Sequence, residues 1–206
     1  MRSKKRGRTK GLTKIKRHDK KEKYPEEAKG FLVYDTKKCA GCHSCMLACS
    51  VVHEGKAGLS SSRIQIIENR LGEEAKYPTD IDIAVCMQCK DPSCMTACPV
   101  GAIYVDKEHL NVRKIDEKEC TKCKLCITAC HFKPSRIVWN PKKENMLKCD
   151  LCRDTPFWNH EKGKTACIEV CPVKALKLTT EPPASYDKHL VNLRGEGWKQ
   201  LDLPVD

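Results

Sequence analysis

Short hydrophobic runs alternate with polar stretches along this chain of 206 residues. The segment AIYVDKEHLNVRKID, residues 102–116, has two strand-like runs around a polar turn and predicts a β-hairpin. The alternating run SRIQIIENR, residues 62–70, predicts a strand within a longer loop. The short segments MLAC, MTAC, ITAC and IEVC each follow a cysteine and predict a short helical turn. The cysteine before each segment and the cysteine that ends it then lie one turn apart on one face. No apolar run approaches the roughly 18 residues of a membrane-spanning helix.

These short elements predict an α+β fold with little regular secondary structure. We expect a core at residues 31–180, which carries an insertion at 50–85, and an extended C-terminal arm at 181–206. Only 5% of the residues are aromatic and 32% are charged, so the hydrophobic core must be thin for this length. Another kind of cross-link is therefore needed to hold the core together.

The positive charge of the chain is concentrated at its beginning. Residues 1–30 contain 13 Lys and Arg against four Asp and Glu, which accounts for most of the net charge of +12. A segment with so much like charge and so few apolar residues predicts a disordered arm. Its role is either solvation alone or contact with an acidic partner or polyanion. No apolar signal segment follows it, so we expect a cytoplasmic, soluble protein whose thiols stay reduced.

The 16 cysteines form four groups of four, each beginning Cys-x-x-Cys and ending Cys-x-x-x-Cys. The spacer before the third cysteine is two, four, two and 14 residues long in successive groups, which marks an internal repeat with insertions. In chain order the groups are Cys39, Cys42, Cys45, Cys49; Cys86, Cys89, Cys94, Cys98; Cys120, Cys123, Cys126, Cys130; and Cys149, Cys152, Cys167, Cys171.

This spacing is typical of bacterial ferredoxins, in which a tight loop supplies three cysteines to a 4Fe-4S cluster and the fourth cysteine binds the other cluster of a pair. A zinc site instead joins two separated Cys-x-x-Cys pairs into one tetrahedron and has no use for the third thiol of the loop. The stretched fourth group alone also fits zinc. Its Cys-Pro ending and the strand-like run after it match the second group, so we predict four 4Fe-4S clusters, with zinc in place of one as the alternative.

The four motifs in this order resemble those of the four-cluster, ferredoxin-like electron-transfer subunits of molybdenum and tungsten oxidoreductases. The resemblance covers about residues 31–180. The segment CAGCHSCMLACSVVHEG followed by SRIQI looks most like the small subunits of aldehyde:ferredoxin-oxidoreductase-type tungsten enzymes, a group that includes class II benzoyl-CoA reductase. Two positions depart from the usual pattern, because Ser50 and His131 stand where proline often follows the last cysteine.

The resemblance implies tandem ferredoxin-like units, each with two clusters, in which the first motif shares its clusters with the fourth and the second with the third. The implied ligand sets are Cys39, Cys42, Cys45 with Cys171; Cys149, Cys152, Cys167 with Cys49; Cys86, Cys89, Cys94 with Cys130; and Cys120, Cys123, Cys126 with Cys98. It also implies a non-catalytic subunit whose partner carries a tungsten or molybdenum pterin. A further flavin or electron-transfer subunit, or a soluble ferredoxin, is a second possible partner.

Two other functions are compatible with parts of the sequence. A free-standing polyferredoxin has the same motifs, but it needs neither the insertion at 50–85 nor the C-terminal arm. A zinc-ribbon nucleic-acid binder would need aromatic residues among the basic ones, and the arm has none before Tyr24. We therefore expect no nucleic-acid partner.

Two roles are possible for each of several aromatic residues and histidines. Phe157, Trp158 and Trp198 are either anchors of a partner interface or part of the core. His43 and His131 lie beside cysteines and are either hydrogen-bond donors to a cluster or merely exposed. Since 16 cysteines suffice for four clusters, neither histidine is predicted as a ligand.

Overall fold

The structure, a computed structural model, describes residues 26–68, 81–153, 155–158 and 164–182. Most of the predicted basic arm and C-terminal arm, Trp198 and residues 69–80 of the predicted insertion lie outside these ranges. The strands are β1 Phe31–Tyr34, β2 Ile64–Glu68, β3 Ile81–Val85, β4 Ile103–Asp106, β5 Val112–Ile115, β6 Ile137–Asn140, β7 Asn145–Lys148 and β8 Leu176–Thr179. The helices are α1 Ser44–Glu54, α2 Ser93–Thr96, α3 Leu125–Ala129 and α4 Ala166–Glu169, with a 3-10 turn at Leu59–Ser61.

All of the described strands pair in twos and run antiparallel. The pairs are β1 with β8, β2 with β3, β4 with β5 and β6 with β7. The hairpin predicted at 102–116 is present as β4 and β5, with Ile103 opposite Ile115. The strand predicted from SRIQI is β2, which forms a ladder with β3 at the far end of the insertion. The mixed α/β character and the short elements agree with the predicted fold class.

The first helix differs from the prediction of a single turn after the third cysteine, because α1 continues for 11 residues. Ser50 follows Cys49, whereas Pro99 and Pro172 follow the last cysteines of the second and fourth motifs. A proline removes a backbone donor and opposes continuation of a helix. The helix α1 instead ends at Gly55, whose φ of 69° lets its N–H bond to the carbonyl of Val51.

The elements divide into two halves that follow the motifs. In the outer half, α1 of the first motif packs on α4 of the fourth, and β1 pairs with β8. In the inner half, α2 of the second motif packs on α3 of the third, beside the β4–β5 and β6–β7 hairpins. Among the described helices, none has the length and hydropathy that a membrane span requires.

Hydrophobic packing is concentrated in the outer half. A large buried cluster includes Leu32 and Val33 of β1, Ile64 of β2, and Ile83 and Val85 of β3. The inner half has a smaller cluster, formed by Ile103, Cys126, Ile137 and Met146. The large cluster also reaches the inner half through Met87, Val112 and Phe132, so the part of the inner half with the least buried apolar surface is that around the small cluster.

Candidate metal centres

The cysteines are all free thiols, and the fold gathers them into four groups that each combine two motifs. Site A is a cavity lined by Cys39, Cys42, Cys45 and Cys171. Site B is a cavity lined by Cys49, Cys149, Cys152 and Cys167. Site D is a cavity lined by Cys98, Cys120, Cys123 and Cys126. At site C, the thiols of Cys89 and Cys94 interact electrostatically with those of Cys86 and Cys130.

In every group the fourth thiol comes from a different motif than the other three. This is the grouping that the resemblance implied, since the first motif exchanges a cysteine with the fourth and the second with the third. The helices explain the exchange within the outer half. Cys45 and Cys49 lie one turn apart on α1, and Cys45 lines site A while Cys49 lines site B. That these thiols bind a metal centre stays a prediction.

Each Cys-x-x-Cys loop turns in the same way. The residue directly before the second cysteine is left-handed in all four motifs: φ is 65° at Gly41, 51° at Gln88, 61° at Lys122 and 55° at Leu151. Residues other than glycine adopt this conformation at a cost of roughly 1–2 kcal/mol, and such strain is typical of functional loops. The repeat in the sequence is thus matched by a repeat in the backbone.

Backbone amides donate hydrogen bonds to several of the thiol sulfurs. The N–H groups of Arg63, Arg136 and Ala175 point to the Sγ atoms of Cys49, Cys130 and Cys171 at 3.3, 3.4 and 3.2 Å. In each case the acceptor is the last cysteine of its motif. Hydrogen bonds to ligand sulfurs stabilise the thiolate and are one of the ways in which a protein sets a cluster potential.

Burial opposes ionisation of the thiols. It raises the pKa of Cys45, Cys89 and Cys94 to about 12 and that of Cys126 to about 11. The pKa values of Cys149 and Cys167 are also raised well above the usual range by burial. Binding of a metal centre would remove these protons, since metal coordination deprotonates such thiols outright.

Site B has a buried network of charged side chains. His53 lies four residues after Cys49 on α1; its Nε2 is 2.9 Å from Oδ1 of Asp150, and its Nδ1 is 3.7 Å from the Cys49 sulfur. Arg63 donates from Nη1 to the other oxygen of Asp150 at 2.6 Å. Although burial alone disfavours the charged form, the Asp150 carboxylate holds the pKa of His53 at about 9.

Site C has a buried lysine. The Lys148 side chain is 5% exposed, and its ammonium donates to the carbonyl of Arg113 and makes a hydrogen bond with the Cys86 thiol. Nearby, the fully buried Gln88 donates from Nε2 to the carbonyl of Cys149 at 3.0 Å and accepts from the N–H of Arg113 at 2.8 Å. These bonds join the second and fourth motifs at the centre of the molecule.

Electrostatic interactions between thiols of different sites give the order of the four sites. The Cys167 thiol of site B interacts with Cys45 of site A, and Cys149 of site B interacts with Cys86 of site C. Cys94 of site C interacts in turn with Cys126 of site D. The order is therefore A, B, C, D, and the two exposed cysteines, Cys42 and Cys123, belong to the two end sites.

The other residues singled out from the sequence lie as follows. His43 is half-buried, with Nε2 3.2 Å from the Glu68 carboxylate and Nδ1 3.4 Å from the Met46 sulfur. His131 is exposed and makes a hydrogen bond with the Ser93 hydroxyl. Phe157 is 60% exposed beside Gly55, while Trp158 packs partly buried against Val52, Cys152 and Ala166.

Sequence reasoning missed His53, Asp150, Lys148 and Gln88 as parts of the sites. A signal was present for three of them, because His53 lies one helical turn after Cys49 and the other two flank Cys149. Their burial and partners depend on contacts between motifs that lie far apart along the chain. No spacing rule within a single motif predicts such contacts.

The donor sets fit an iron–sulfur centre. Four thiol sulfurs around one cavity are the soft ligands that iron–sulfur clusters and zinc take. Within the described ranges, no three or more His, Cys, Asp or Glu side chains are arranged to hold a single metal ion.

The sequence matches known proteins over the same region. The 4Fe-4S dicluster domain family matches residues 78–181. YsaA of Escherichia coli, which is named as an electron transport protein, is 37% identical over 154 residues, 71% of this chain and 87% of YsaA. The thiosulfate reductase electron transfer subunit PhsB of Salmonella typhi is 31% identical over 147 residues, 71% of this chain and 73% of PhsB.

A solved structure is also similar. The active site complex BamBC of benzoyl coenzyme A reductase, in complex with benzoyl-CoA, contains a chain that is 21% identical, with a TM-score of 0.39. The match covers 73% of this chain and 78% of that chain.

Proposed function

Because this chain belongs to the family of proteins with a 4Fe-4S dicluster domain and is an iron–sulfur electron-transfer protein, we propose that it is the non-catalytic subunit of an oxidoreductase with a tungsten- or molybdenum-pterin catalytic subunit. It would hold four 4Fe-4S clusters, one at each of the sites A to D. This role is similar to those named for the relatives PhsB and YsaA.

The observation that carries the proposal is the gathering of 16 free thiols into four groups of four, each drawn from two motifs. When bound, 4Fe-4S clusters would take up and release single electrons. The chain itself would supply four sulfur ligands at each site, bury most of them against water, and orient three of them with backbone N–H groups. No side chain is needed for bond chemistry in this role.

The exposure of the end sites supports exchange of electrons with other proteins at both ends of the series. Cys42 of site A and Cys123 of site D are exposed, whereas every cysteine of sites B and C is buried or partly buried. One end would face the catalytic subunit and the other would face a donor or acceptor protein. Phe157, at 60% exposure beside Gly55, is an apolar side chain available to a partner protein.

The first test is iron, zinc and acid-labile sulfide per chain after anaerobic purification. About 16 irons with equal sulfide are expected, with a broad absorption band near 400 nm. About 12 irons with one zinc would mean that one site is structural. Zinc alone in a colourless preparation would contradict electron transfer.

The second test concerns the partner. Anaerobic purification of the tagged chain from its native host is expected to yield a complex that contains tungsten or molybdenum, with pterin in stoichiometric amount. Dithionite-reduced chain should then re-oxidise when the oxidised complex is added. A full complement of iron without any tungsten or molybdenum protein in the complex would contradict this choice of partner but leave the iron–sulfur assignment intact.

A further inference from the structure

Lys148 is a buried cation placed between two of the candidate centres. It is the last residue of β7, opposite Ile137 of β6, and it directly precedes Cys149 of site B. Its side chain nevertheless reaches site C, where the ammonium makes a hydrogen bond with Cys86 and interacts electrostatically with Cys94. Only 5% of the residue is exposed.

Burial of an ammonium group is unfavourable unless charge or hydrogen bonds compensate it. The partners of Lys148 are the carbonyl of Arg113 and the thiols of Cys86, Cys94 and Cys149. The compensation is complete only when the thiols are thiolates, which is their state as metal ligands.

The surroundings fix the position of the ammonium. Gln88 accepts a hydrogen bond from the N–H of Arg113 and donates one to the carbonyl of Cys149. The carbonyl of Arg113, on β5, is the acceptor for Lys148, and Cys149 directly follows Lys148. Gln88 therefore holds β5 and the loop after Lys148 together. Gln88 is fully buried and its own N–H points to the Cys86 sulfur at 3.5 Å. A charge held in place in a dry region acts on its neighbours more strongly than a solvated one.

Site B differs in its charges. There the buried His53 imidazole and the partly buried Arg63 guanidinium share the Asp150 carboxylate, so a negative charge lies between them. At site C the Lys148 ammonium instead makes a hydrogen bond with the Cys86 thiol and interacts electrostatically with Cys94.

We propose that Lys148 is the built-in counter-ion of site C, whose ammonium balances the thiolates of Cys86 and Cys94 and raises the midpoint potential of that site. The inference rests on the proposed function, since it requires a redox centre at site C. Reduction adds a negative charge to the centre, and a fixed positive charge nearby stabilises the reduced form. Removal of the charge therefore makes site C harder to reduce or leaves its thiolates unable to retain iron.

The test uses four variants of the full chain. Lys148→Met removes the charge and the donor, Lys148→Gln removes the charge and retains a donor, and Lys148→Arg retains the charge. Lys142→Met makes the same chemical change at an exposed position in the turn of the same hairpin. Each protein is purified anaerobically, its iron is counted, and its reduction is followed by absorption and electron paramagnetic resonance in a potentiometric titration.

In the wild type we expect about 16 irons and four one-electron steps. In K148M and K148Q one step should move to lower potential while the other three stay in place, and K148R and K142M should match the wild type. Alternatively, K148M and K148Q lose the iron of one site while K148R keeps its full iron content. This result would support the counter-ion role as well as a shift in potential would.

Unchanged iron and four unchanged steps in K148M and K148Q would overturn the inference, as would equal shifts in K142M. Loss of iron in K148R as well as in K148M and K148Q would also overturn it, because packing and not charge would then be the role of Lys148. A wild type that binds no iron would instead refute the proposed function. The two failures are therefore distinguishable.

Discussion

The outer and inner halves of the molecule use the same thiol pattern but are held together differently. In the outer half, sites A and B join cysteines that lie 100 residues or more apart along the chain, beside a large hydrophobic cluster that includes residues of β1, β2 and β3. In the inner half, the large cluster extends to Cys89 and Cys130 of site C, whereas site D packs against the small cluster of Ile103, Cys126, Ile137 and Met146. We therefore expect site D and the strands beside it to depend more on metal ligands for stability than the outer half does.

The two central sites differ in a second way. Site B is surrounded by the His53, Asp150 and Arg63 network, whereas site C faces the Lys148 ammonium. Four thiols with the same spacing thus lie in different electrostatic environments. The motifs thus determine where the thiols lie, and residues between and after the motifs determine which charges surround them.

The largest expected effect is that of metal removal. Anaerobic chelation of iron should abolish most of the amide protection of β4 and β6, because little apolar burial remains to hold them. The β2–β3 hairpin should keep part of its protection, since Ile64, Ile83 and Val85 are buried in the large cluster. Hydrogen exchange read by mass spectrometry distinguishes the two halves. Equal loss of amide protection in both halves would contradict the expected difference in their stability.

The next effect concerns the charges of site B. Asp150→Asn leaves His53 and Arg63 as buried cations without their carboxylate, which we expect to cost about 3 kcal/mol of unfolding free energy. The measurement is the urea midpoint for iron release under anaerobic conditions, with hydrogen exchange to locate the loss in α1 and not in β4.

A matched surface variant tests whether burial is the cause. Glu27→Gln removes the carboxylate from an ion pair with Lys90 in which both side chains are about half exposed, at 58% and 48%. Exposed pairs contribute at most about 1 kcal/mol, so the midpoint should shift little. A shift as large as that of D150N would mean that the protein is sensitive to any loss of negative charge, buried or exposed.

The smallest effect concerns the cysteine loops. Gly41→Ala places a Cβ 2.5 Å from Oε1 of Glu68 at a φ of +65°, so we expect a cost of about 1–2 kcal/mol at site A. Lys122 has the same left-handed conformation at site D and already carries a side chain in solvent. Lys122→Ala should therefore change the urea midpoint for iron release by less than about 0.5 kcal/mol. Equal costs for both variants would show that the loops of the two halves do not differ in this respect.

Local patterns in the sequence predicted the local structure well. The hairpin at 102–116, the strand in SRIQI and the helical turns after the third cysteines all have signals within about ten residues. The sequence analysis did not predict the length of α1. No proline follows Cys49, but a missing stop signal does not by itself predict that a helix continues.

The candidate sites were predicted in part. Spacing alone indicated clusters and exchange of the fourth cysteine, but which motif pairs with which came from the resemblance to a family. The buried partners His53–Asp150 and Gln88–Cys149 are 97 and 61 residues apart along the chain. Whether such polar residues are buried depends on how the halves pack, and no single motif contains that information.

The measurement that tests the central claim most directly is the iron content of paired Cys→Ser variants. If Cys171 and Cys42 serve one cluster, the iron lost in the double variant C171S/C42S should be no greater than the larger of the two single losses. Because Cys152 belongs to site B, the loss in C171S/C152S should equal the sum of its single losses. The reverse result, additive losses for C171S/C42S and a shared loss for C171S/C152S, would mean that each motif holds its own centre and would contradict the exchange of ligands.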